Sequence, residues 1–283
     1  MTASPETATQ IKAVFLDVDG TYADYGVVPD AHAEAVRAAR AAGHKVLIST
    51  GRPLPMLPTS IMGAGFDGVI ASAGAYAEVG GEVLLDREFP ADLAARALAR
   101  LNAYDAVYLL ESQRALYVKP AAEARLRAHI EKHFAASPDG RPTGESAILG
   151  GLRVLEEGAA PTFAKISVYE SPVSMAQLLE EIGADIDAVA NSIADEGPHA
   201  GELFQRGISK ADGVAAALSA LGIDREHSIA FGDGENDLEM IAHAGIGVAI
   251  RGGSARLAAI ADRMAAPPRL HGLVAAFAEL GLI

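Results

Sequence analysis

The feature that most constrains the fold is a set of short apolar runs separated by helical patterns. The runs "KAVFLD" (12–17) and "KVLIST" (45–50) flank the segment "PDAHAEAVRAARAAGH" (29–44), and "GVIAS" (68–72) comes next. Runs that are apolar throughout, rather than alternating with polar residues, are typical of strands covered on both faces. A strand, a helix and a strand at this spacing indicate a right-handed βαβ unit in a parallel sheet.

The segment between the first two runs has the periodicity of an amphipathic helix. Ala35, Val36, Ala39 and Ala42 form an apolar stripe at helical spacing. Gly43 follows the stripe, and glycine is well suited to end a helix in a left-handed conformation. We therefore expect a helix that ends next to Gly43 and packs its stripe against the sheet.

The same alternation returns near the C-terminus. Residues 209–222 and 235–245 have helical patterns, and each is followed by an apolar run, at 228–232 and 247–250. The middle of the chain alternates less regularly and is broken by segments such as "SPDGRPTGE" (137–145). The predicted organisation is a flexible N-terminal tail at residues 1–10, a core domain over 11–87 and 201–283, and an α+β cap domain inserted at 88–200.

The charge balance excludes several classes of partner. The chain has 23 Lys and Arg against 37 Asp and Glu, a formal net charge of −14. Such a charge argues against nucleic acids and anionic membranes, because their phosphates would be repelled. An anionic substrate would therefore need a local pocket of positive potential.

Two further observations concern the compartment. Cysteine is absent, which excludes disulfides, thiolate catalysis and cysteine-ligated zinc. The N-terminal segment "MTASPETATQ" lacks the basic and then apolar pattern of a signal peptide, and no apolar stretch is long enough to span a bilayer. We therefore expect a cytoplasmic protein.

Polar side chains follow three of the predicted strands, at the edge where open parallel sheets bind ligands. The segments are Asp17-Val18-Asp19-Gly20-Thr21, Ser49-Thr50-Gly51-Arg52 and Gly232-Asp233-Gly234-Glu235-Asn236-Asp237. Lys210, at the start of a predicted helix, adds an ammonium group. Several carboxylates with one hydroxyl and one lysine are what a magnesium-dependent phosphoryl-transfer site requires.

The first of these segments is consistent with that chemistry in its own right. Asp17 and Asp19 are two residues apart, so their side chains share one side of an extended chain. Gly20 allows the chain to turn away sharply after them. A cation bound between crowded carboxylates would keep them ionised, as a nucleophile requires.

Four segments, in this order, resemble the four motifs of the haloacid dehalogenase (HAD) superfamily: "DVDGT", "STGR", "GISKADGV" and "GDGENDLEM". The last two, with an inserted middle domain after the third strand, resemble the Cof-type sugar-phosphate phosphatase branch. The resemblance covers both ends of the chain, and the middle matches only in length and alternation. It implies a Rossmann-like HAD core with a parallel sheet and an inserted α+β cap domain of the C2 type.

The resemblance also implies catalytic roles and a Mg²⁺ cofactor. Asp17 would attack phosphorus to give an aspartyl-phosphate, and Asp19 would act first as general acid and then as general base. Asp17, the backbone carbonyl of Asp19 and Asp233 would hold Mg²⁺. Asp237 would lie outside these direct ligands and orient a metal-bound water or Lys210.

A further set of residues would bind the phosphate or the rest of the substrate, a small phosphorylated metabolite. The set is Thr50, Gly51, Arg52, Gly74, Lys210 and Asn236. For Arg52 two interpretations stay open: contact with a substrate phosphate, or packing of its stem on the loop "PLPML" (53–57). Tyr22 either packs or shapes the pocket, and the eight histidines show no metal-ligand spacing and are expected mostly on surfaces.

One position departs from the Cof-type pattern. Relatives usually have Asn-Gly-Ala after the third strand, whereas this chain has Ser72-Ala73-Gly74-Ala75, with alanine in the asparagine position. The nucleophile and the metal site are not touched by this change. The substrate preference of the family is therefore not transferred to this chain.

Each motif also has an ordinary structural interpretation. Asp19-Gly20 could be a turn, "GDGEND" a polar loop, Ser209 an N-cap and Lys210 a solvated lysine. Four such coincidences in the right order would be needed, so the catalytic interpretation is favoured. Three functions remain. The first is a Mg²⁺-dependent phosphomonoester hydrolase that acts on a small phosphorylated metabolite such as a sugar phosphate. The others are a phosphomutase of the phosphomannomutase-like type and a non-catalytic phosphometabolite-binding protein, which predicts the loss of an acid or the lysine.

Overall fold

The structure, a computed structural model, describes residues 10–24, 26–136, 142–156, 158–190 and 197–283. The predicted flexible tail at 1–10 lies outside the described residues except for residue 10, and the predicted break at 137–145 lies largely outside them. No helix in the described part of the chain is long and apolar enough to cross a membrane.

The described residues form two sheets and the helices that flank them. The strands are β1 Ala13–Leu16, β2 Lys45–Ser49, β3 Gly68–Ala71, β4 Tyr76–Val79, β5 Glu82–Asp86, β6 Val107–Glu111, β7 Leu116–Val118, β8 Leu152–Val154, β9 Lys165–Glu170, β10 Ile186–Val189, β11 Gly201–Gln205, β12 Ser228–Gly232, β13 Ile246–Ile250 and β14 Arg263–Ala265. The helices are α1 Asp30–Ala41, α2 Thr59–Met62, α3 Ala91–Ala103, α4 Glu123–Ala136, α5 Pro142–Gly151, α6 Met175–Ile182, α7 Lys210–Leu221, α8 Leu238–His243, α9 Ala255–Ile260 and α10 Gly272–Glu279.

The first sheet has the strand order β14-β13-β12-β1-β2-β3-β4-β5. From β14 to β3 every pairing is parallel, whereas β4 and β5 join as an antiparallel hairpin at the β3 edge. The predicted Rossmann-like core with a parallel sheet is therefore confirmed. The hairpin was not predicted.

The sheet is covered on both faces, as its apolar strands require. Val14 and Leu16 face the cluster that contains α1 and α10, and Ala13 and Phe15 face the cluster that contains α7 and α8. All four side chains are completely buried. Burial of a large apolar side chain contributes about 1.5–3 kcal/mol, so β1 is a rigid support for the residues that follow it.

Helix α1 matches its prediction except at its end. Ala35, Val36 and Ala39 are buried, but Ala42 is exposed because the helix has already ended. Gly43 follows with φ of 97°, which is the left-handed conformation expected of a glycine after a helix. The stripe is therefore one residue shorter than predicted.

The second sheet has the order β10-β11-β9-β6-β7-β8 and is the inserted cap. Helices α3 and α6 pack on one face, and α4 packs on the other. Strand β11 pairs with β9 and β10, so this sheet reaches Gln205, beyond the boundary predicted at residue 200. The inserted α+β cap of the predicted fold class is confirmed.

Two histidines are exceptions to the expectation that most of them lie on surfaces. His32 is fully buried and His44 nearly so. The N–H of Leu273 donates to Nε2 of His32 at 3.4 Å, and Nδ1 of His32 lies 2.9 Å from the carbonyl oxygen of Tyr22. Burial lowers the pKa of His32, so the ring is neutral and ties α10 to the loop after β1. Tyr22 is buried and packs edge-on against Phe66.

Candidate active site

The site lies where three parallel strands end side by side. In the register of the sheet, Leu16 of β1 is opposite both Ile48 of β2 and Phe231 of β12. Asp17 continues this pairing, because its N–H donates to the carbonyl oxygen of Phe231 at 3.0 Å. The carboxyl ends of β2, β1 and β12 therefore bring their three polar segments together, as expected for an open parallel sheet.

Lys210 reaches this edge from the first turn of α7. Its side chain has no exposed surface, and Nζ donates to Oδ1 of Asp17 and to Oδ1 of Asp237, both at 2.6 Å. Burial alone would lower the pKa of Lys210, but the charges of Asp17 and Asp237 outweigh burial and raise the pKa. Lys210 is therefore a buried ammonium and not the solvated lysine of the ordinary interpretation.

Asp237 connects the motif that contains Lys210 with the loop that contains Asp233 through hydrogen bonds. Its Oδ1 accepts from Lys210, and its Oδ2 accepts from the backbone N–H groups of Asp233 and Gly234, each at 3.0 Å. A Cβ at Gly232 would lie 2.5 Å from Cγ of Asp237, so only glycine fits beneath the carboxylate. Because both oxygens are engaged, Asp237 fixes the positions of Lys210 and of the loop that carries Asp233.

The carboxylates form a possible cation site. One oxygen each of Asp17, Asp233 and Asp237 lies within 4.8 Å of the others. Burial, together with the neighbouring carboxylates, raises the pKa of Asp233 to about 6, and it raises the pKa of Asp17 well above its ordinary range although Lys210 counteracts the shift. Such crowding of hard oxygen ligands fits a divalent cation such as Mg²⁺, which would relieve the repulsion.

Asp19 and Arg52 form an ion pair at the mouth of the site. Nε and Nη2 of Arg52 donate to the two oxygens of Asp19 at 2.7 and 2.6 Å, and Nη1 donates to the carbonyl oxygen of Met56 at 3.2 Å. The Asp19 side chain is 48% exposed. Arg52 thus contacts the loop "PLPML" through its guanidinium and also holds Asp19, a pairing that neither sequence interpretation included.

Three of the predicted phosphate-binding residues lie together beyond β2. The hydroxyl oxygen of Thr50 accepts from the N–H of Arg52 at 3.2 Å, which leaves its O–H able to donate. A Cβ placed on Gly51 would lie 3.5 Å from Nδ2 of Asn236, so the Asn236 amide adjoins the Gly51 backbone. The group offers neutral hydrogen-bond donors at the carboxyl end of the sheet.

The loop after β3 is held in an uncommon conformation. Ser72, Ala73 and Gly74 all have positive φ, of 48°, 55° and 101°. A Cβ on Gly74 would overlap the carbonyl oxygen of Ser209, so the loop packs directly against the start of α7. The structure therefore gives Gly74 a packing role next to Lys210, whereas its predicted contact with substrate stays a prediction.

Replacing Gly74 by alanine is expected to lower the free energy of unfolding by about 3 kcal/mol, because the Cβ overlaps backbone atoms that cannot move freely. Gly43→Ala is the matched control, since Gly43 has φ of 97° and no atom within 4 Å of its built Cβ. We expect the control to lose only about 1 kcal/mol. Urea denaturation of both variants measures the difference, and equal losses would contradict the packing role.

Two residues of the cap, Lys165 and Gln113, form hydrogen bonds with this edge of the core. Nζ of Lys165, on β9, donates to the carbonyl oxygen of Gly51 at 3.1 Å. Gln113, between β6 and β7, donates from Nε2 to Oγ of Ser72 at 2.9 Å and accepts at Oε1 from the N–H of Leu54 at 3.2 Å. The cap sheet therefore lies over the loops that carry the predicted phosphate-binding residues.

Residues 14–277 match the haloacid dehalogenase-like hydrolase family. The chain belongs to this family. It is 24% identical to "Putative phosphatase YkrA" of Bacillus subtilis, over 96% of this chain and 98% of that protein. It is also 28% identical to a phosphoglycolate phosphatase of Archaeoglobus fulgidus, over 50% of this chain and 66% of that protein.

Solved structures of the family share the fold of this HAD hydrolase over almost its whole length. A sugar phosphatase of HAD subclass IIB superposes with a TM-score of 0.74 at 26% identity, covering 96% of this chain and 100% of that chain. The predicted superfamily, its Cof-type branch and the prediction of a phosphatase are confirmed by these relatives.

Sequence reasoning missed several residues of the site. Thr21, part of the first motif, donates from Oγ1 to Oδ1 of Asp233 at 3.1 Å, and its place directly after the paired acids was an available signal. Gln113 and Lys165 lie in the cap, and no motif marks them. Their positions above the core of this HAD hydrolase depend on how the two sheets face each other, which a single sequence does not encode in a local pattern.

Proposed function

We propose that this HAD hydrolase is a Mg²⁺-dependent phosphomonoesterase that acts on a small phosphorylated metabolite through an aspartyl-phosphate. The observation that carries the proposal is the buried ammonium of Lys210, held 2.6 Å from both Asp17 and Asp237. A carboxylate at a strand end with an ammonium beside it is suited to attack a phosphoryl group whose charge the ammonium neutralises.

The residues present fit a magnesium ion. Asp17, Asp233 and the backbone carbonyl of Asp19 would hold it, and Asp237 would brace the ligands through Lys210 and the backbone of Asp233. When bound, the ion supplies positive charge that draws phosphoryl oxygens and the Asp17 carboxylate together. The Thr50 hydroxyl and the Asn236 amide are the donors for the remaining phosphoryl oxygens.

In the first step a carboxylate oxygen of Asp17 bonds to phosphorus, and the bond between phosphorus and the leaving oxygen breaks. Asp19 gives its proton to that oxygen, so a neutral alcohol leaves. The Asp19 carboxyl is divided between two guanidinium donors of Arg52, so one of its oxygens parts from Arg52 when it carries the proton. Arg52 is thus a positioning residue for the general acid.

In the second step Asp19, now a carboxylate, takes a proton from water as the water oxygen bonds to phosphorus. The bond between phosphorus and Asp17 breaks, inorganic phosphate leaves, and the Asp17 carboxylate is regenerated. Lys210 remains beside Asp17 throughout and opposes the negative charge that collects on the phosphoryl oxygens.

The deciding experiment measures phosphate release from a panel of phosphorylated metabolites, with Mg²⁺ and with EDTA. We expect release with Mg²⁺, without any bisphosphate activator, and a loss of at least about 100-fold with EDTA because uncompensated carboxylates repel the phosphate. Activity that requires a bisphosphate would instead favour a phosphomutase. Release that is unaffected by EDTA would contradict the metal site.

The pH dependence of metal binding provides a second test. Burial raises the pKa of Asp233 to about 6, so the metal-free folded protein holds a proton near pH 5 that the unfolded chain has lost. Stability from this group therefore falls as pH rises from about 4 through 6, and Mg²⁺, which binds the ionised carboxylate, restores it. We expect the increase in Tm on adding Mg²⁺ to be larger at pH 7 than at pH 5, and an equal increase at both values would contradict this assignment.

A further inference from the structure

A buried ammonium of the cap, that of Lys165, contacts the Gly51 loop and two carboxylates of the cap. Nζ of Lys165 lies 3.0 Å from Oε2 of Glu111, 2.8 Å from Oε2 of Glu202 and 3.1 Å from the carbonyl oxygen of Gly51. The Lys165 and Glu111 side chains are only 7% and 3% exposed. Nζ donates hydrogen bonds to Glu202 and to the Gly51 carbonyl, and its contact with Glu111 is an ion pair.

Two further cations of the site, Arg52 and Lys210, also form ion pairs with carboxylates. Arg52 is divided between the two oxygens of Asp19, and Lys210 is shared by Asp17 and Asp237. Each of the three cations, Lys165, Arg52 and Lys210, is therefore paired with at least one carboxylate. Arg114, in the turn next to Gln113, is exposed, and its positive charge acts on the carboxylate of Asp86.

The site between the core and the cap has a net negative charge even when it holds Mg²⁺ and the phosphate of a substrate. The carboxylates of the two layers are Asp17, Asp19, Asp233, Asp237, Glu111 and Glu202, against the cations Arg52, Lys165 and Lys210. A magnesium ion and a phosphate dianion cancel each other, and Asp19 carries the proton that it gives to the leaving oxygen, so an excess of two carboxylates remains. A second anion on the substrate would meet this excess in a partly desolvated cleft, where charges interact strongly.

We propose that the site selects phosphomonoesters whose leaving group is neutral or cationic, such as a polyol or an amino sugar. It discriminates against leaving groups that carry a carboxylate or a second phosphate, and Glu111 and Glu202 of the cap are the residues that enforce this. The inference rests on the proposed function. This selectivity would distinguish the chain from its Archaeoglobus fulgidus relative, which is named for phosphoglycolate, a substrate with a carboxylate.

The experiment compares two matched pairs of substrates that differ only in one carboxylate. Sorbitol 6-phosphate is paired with 6-phosphogluconate, and 2-hydroxyethyl phosphate with 2-phosphoglycolate. Assays run at pH 8 with Mg²⁺, because burial raises the pKa of Glu111 and both glutamates are to be ionised. We expect kcat/KM to be at least about tenfold higher for the neutral member of each pair.

A charge variant locates the source of the discrimination. Glu202→Gln leaves Lys165 its contacts with Glu111 and Gly51, and it is expected to reduce the neutral-to-anionic ratio of kcat/KM several-fold. Glu279→Gln, an exposed residue at the end of α10, changes the net charge by the same amount and is expected to leave the ratio unchanged. Both substrates of a pair are assayed with the same preparation. A smaller fraction of folded protein therefore lowers both kcat/KM values equally and leaves their ratio unchanged.

The outcomes separate this inference from the function on which it rests. Equal or faster hydrolysis of the anionic members, or an unchanged ratio in Glu202→Gln, overturns the inference and leaves a phosphatase. If no substrate is hydrolysed, calorimetric binding of sorbitol 6-phosphate and 6-phosphogluconate to Asp17→Asn decides. Tighter binding of the neutral phosphate then supports the selectivity of the cleft although the hydrolytic function fails, and equal binding overturns both.

Discussion

Replacing Asp17 by asparagine is expected to lower kcat by about 10⁴-fold or more, because the carboxylate oxygen that would bond to phosphorus is lost. The substitution preserves the shape of the side chain. It also removes one of three crowded carboxylates, so the metal-free variant is expected to unfold at the same temperature as the wild type or higher. Phosphate release under saturating substrate and Mg²⁺ measures the effect.

The control for this substitution is Asp92→Asn. Asp92 lies on the exposed face of α3, with its side chain 78% exposed, and the chemical change is the same. Its kcat is expected to equal that of the wild type. The decisive complement is mass spectrometry of acid-quenched enzyme, which should detect a phosphorylated aspartate in the wild type and none in Asp17→Asn. Phosphate release by Asp17→Asn at the wild-type rate would exclude the aspartyl-phosphate.

Replacing Lys210 by methionine is expected to have the largest effect on stability. The ammonium is fully buried between Asp17 and Asp237, so its removal leaves two buried carboxylates without their cation. Breaking a buried ion pair in this way costs about 3–5 kcal/mol, and loss of the charge beside the phosphoryl group should lower kcat by about 10²–10³-fold. Urea denaturation without metal and steady-state kinetics with Mg²⁺ measure the two effects.

A double variant separates charge from catalysis. Lys210→Met combined with Asp237→Asn removes one cation and one of its two carboxylates, so it should recover part of the lost free energy of unfolding. It should not recover kcat, because the ammonium is still missing. If Lys210→Met denatured at the wild-type urea concentration, the buried ammonium could not be a structural part of the site.

The parts of the fold that the sequence predicts are those set by local patterns. The apolar runs of β1, β2 and β12 and the stripe of α1 indicate the core because each follows from the periodicity of one element. The hairpin of β4 and β5 escaped prediction because its second strand is largely exposed, and its sequence "EVLLD" gives no alternation. The predicted boundary at residue 200 places the last cap strand, β11, in the core, because no local pattern indicates that this strand pairs with β9 and β10.

The residues of the candidate site also fall into two groups: those that local motifs predict, and those whose positions depend on tertiary structure. Short motifs at strand and helix ends predict Asp17, Asp233 and Lys210, and the structure brings these residues together. Lys165 escaped because its neighbours come from β6, β11 and the Gly51 loop, far apart in sequence. The ion pair of Arg52 with Asp19 escaped because its geometry depends on the path of the loop after β2.

The hydrogen bond between Lys165 and the Gly51 carbonyl has a consequence for how the enzyme could diversify. The core accepts this hydrogen bond from the cap through one carbonyl oxygen, that of Gly51, whereas Asp17 and Asp233 directly follow strands β1 and β12 of the core. Substitutions on β6, β9 and β11 can therefore change the charge of the cap without moving Asp17, the proposed nucleophile. The same bond also limits that freedom, since a cap that lost its ammonium would lose one of its attachments to the loop beneath it.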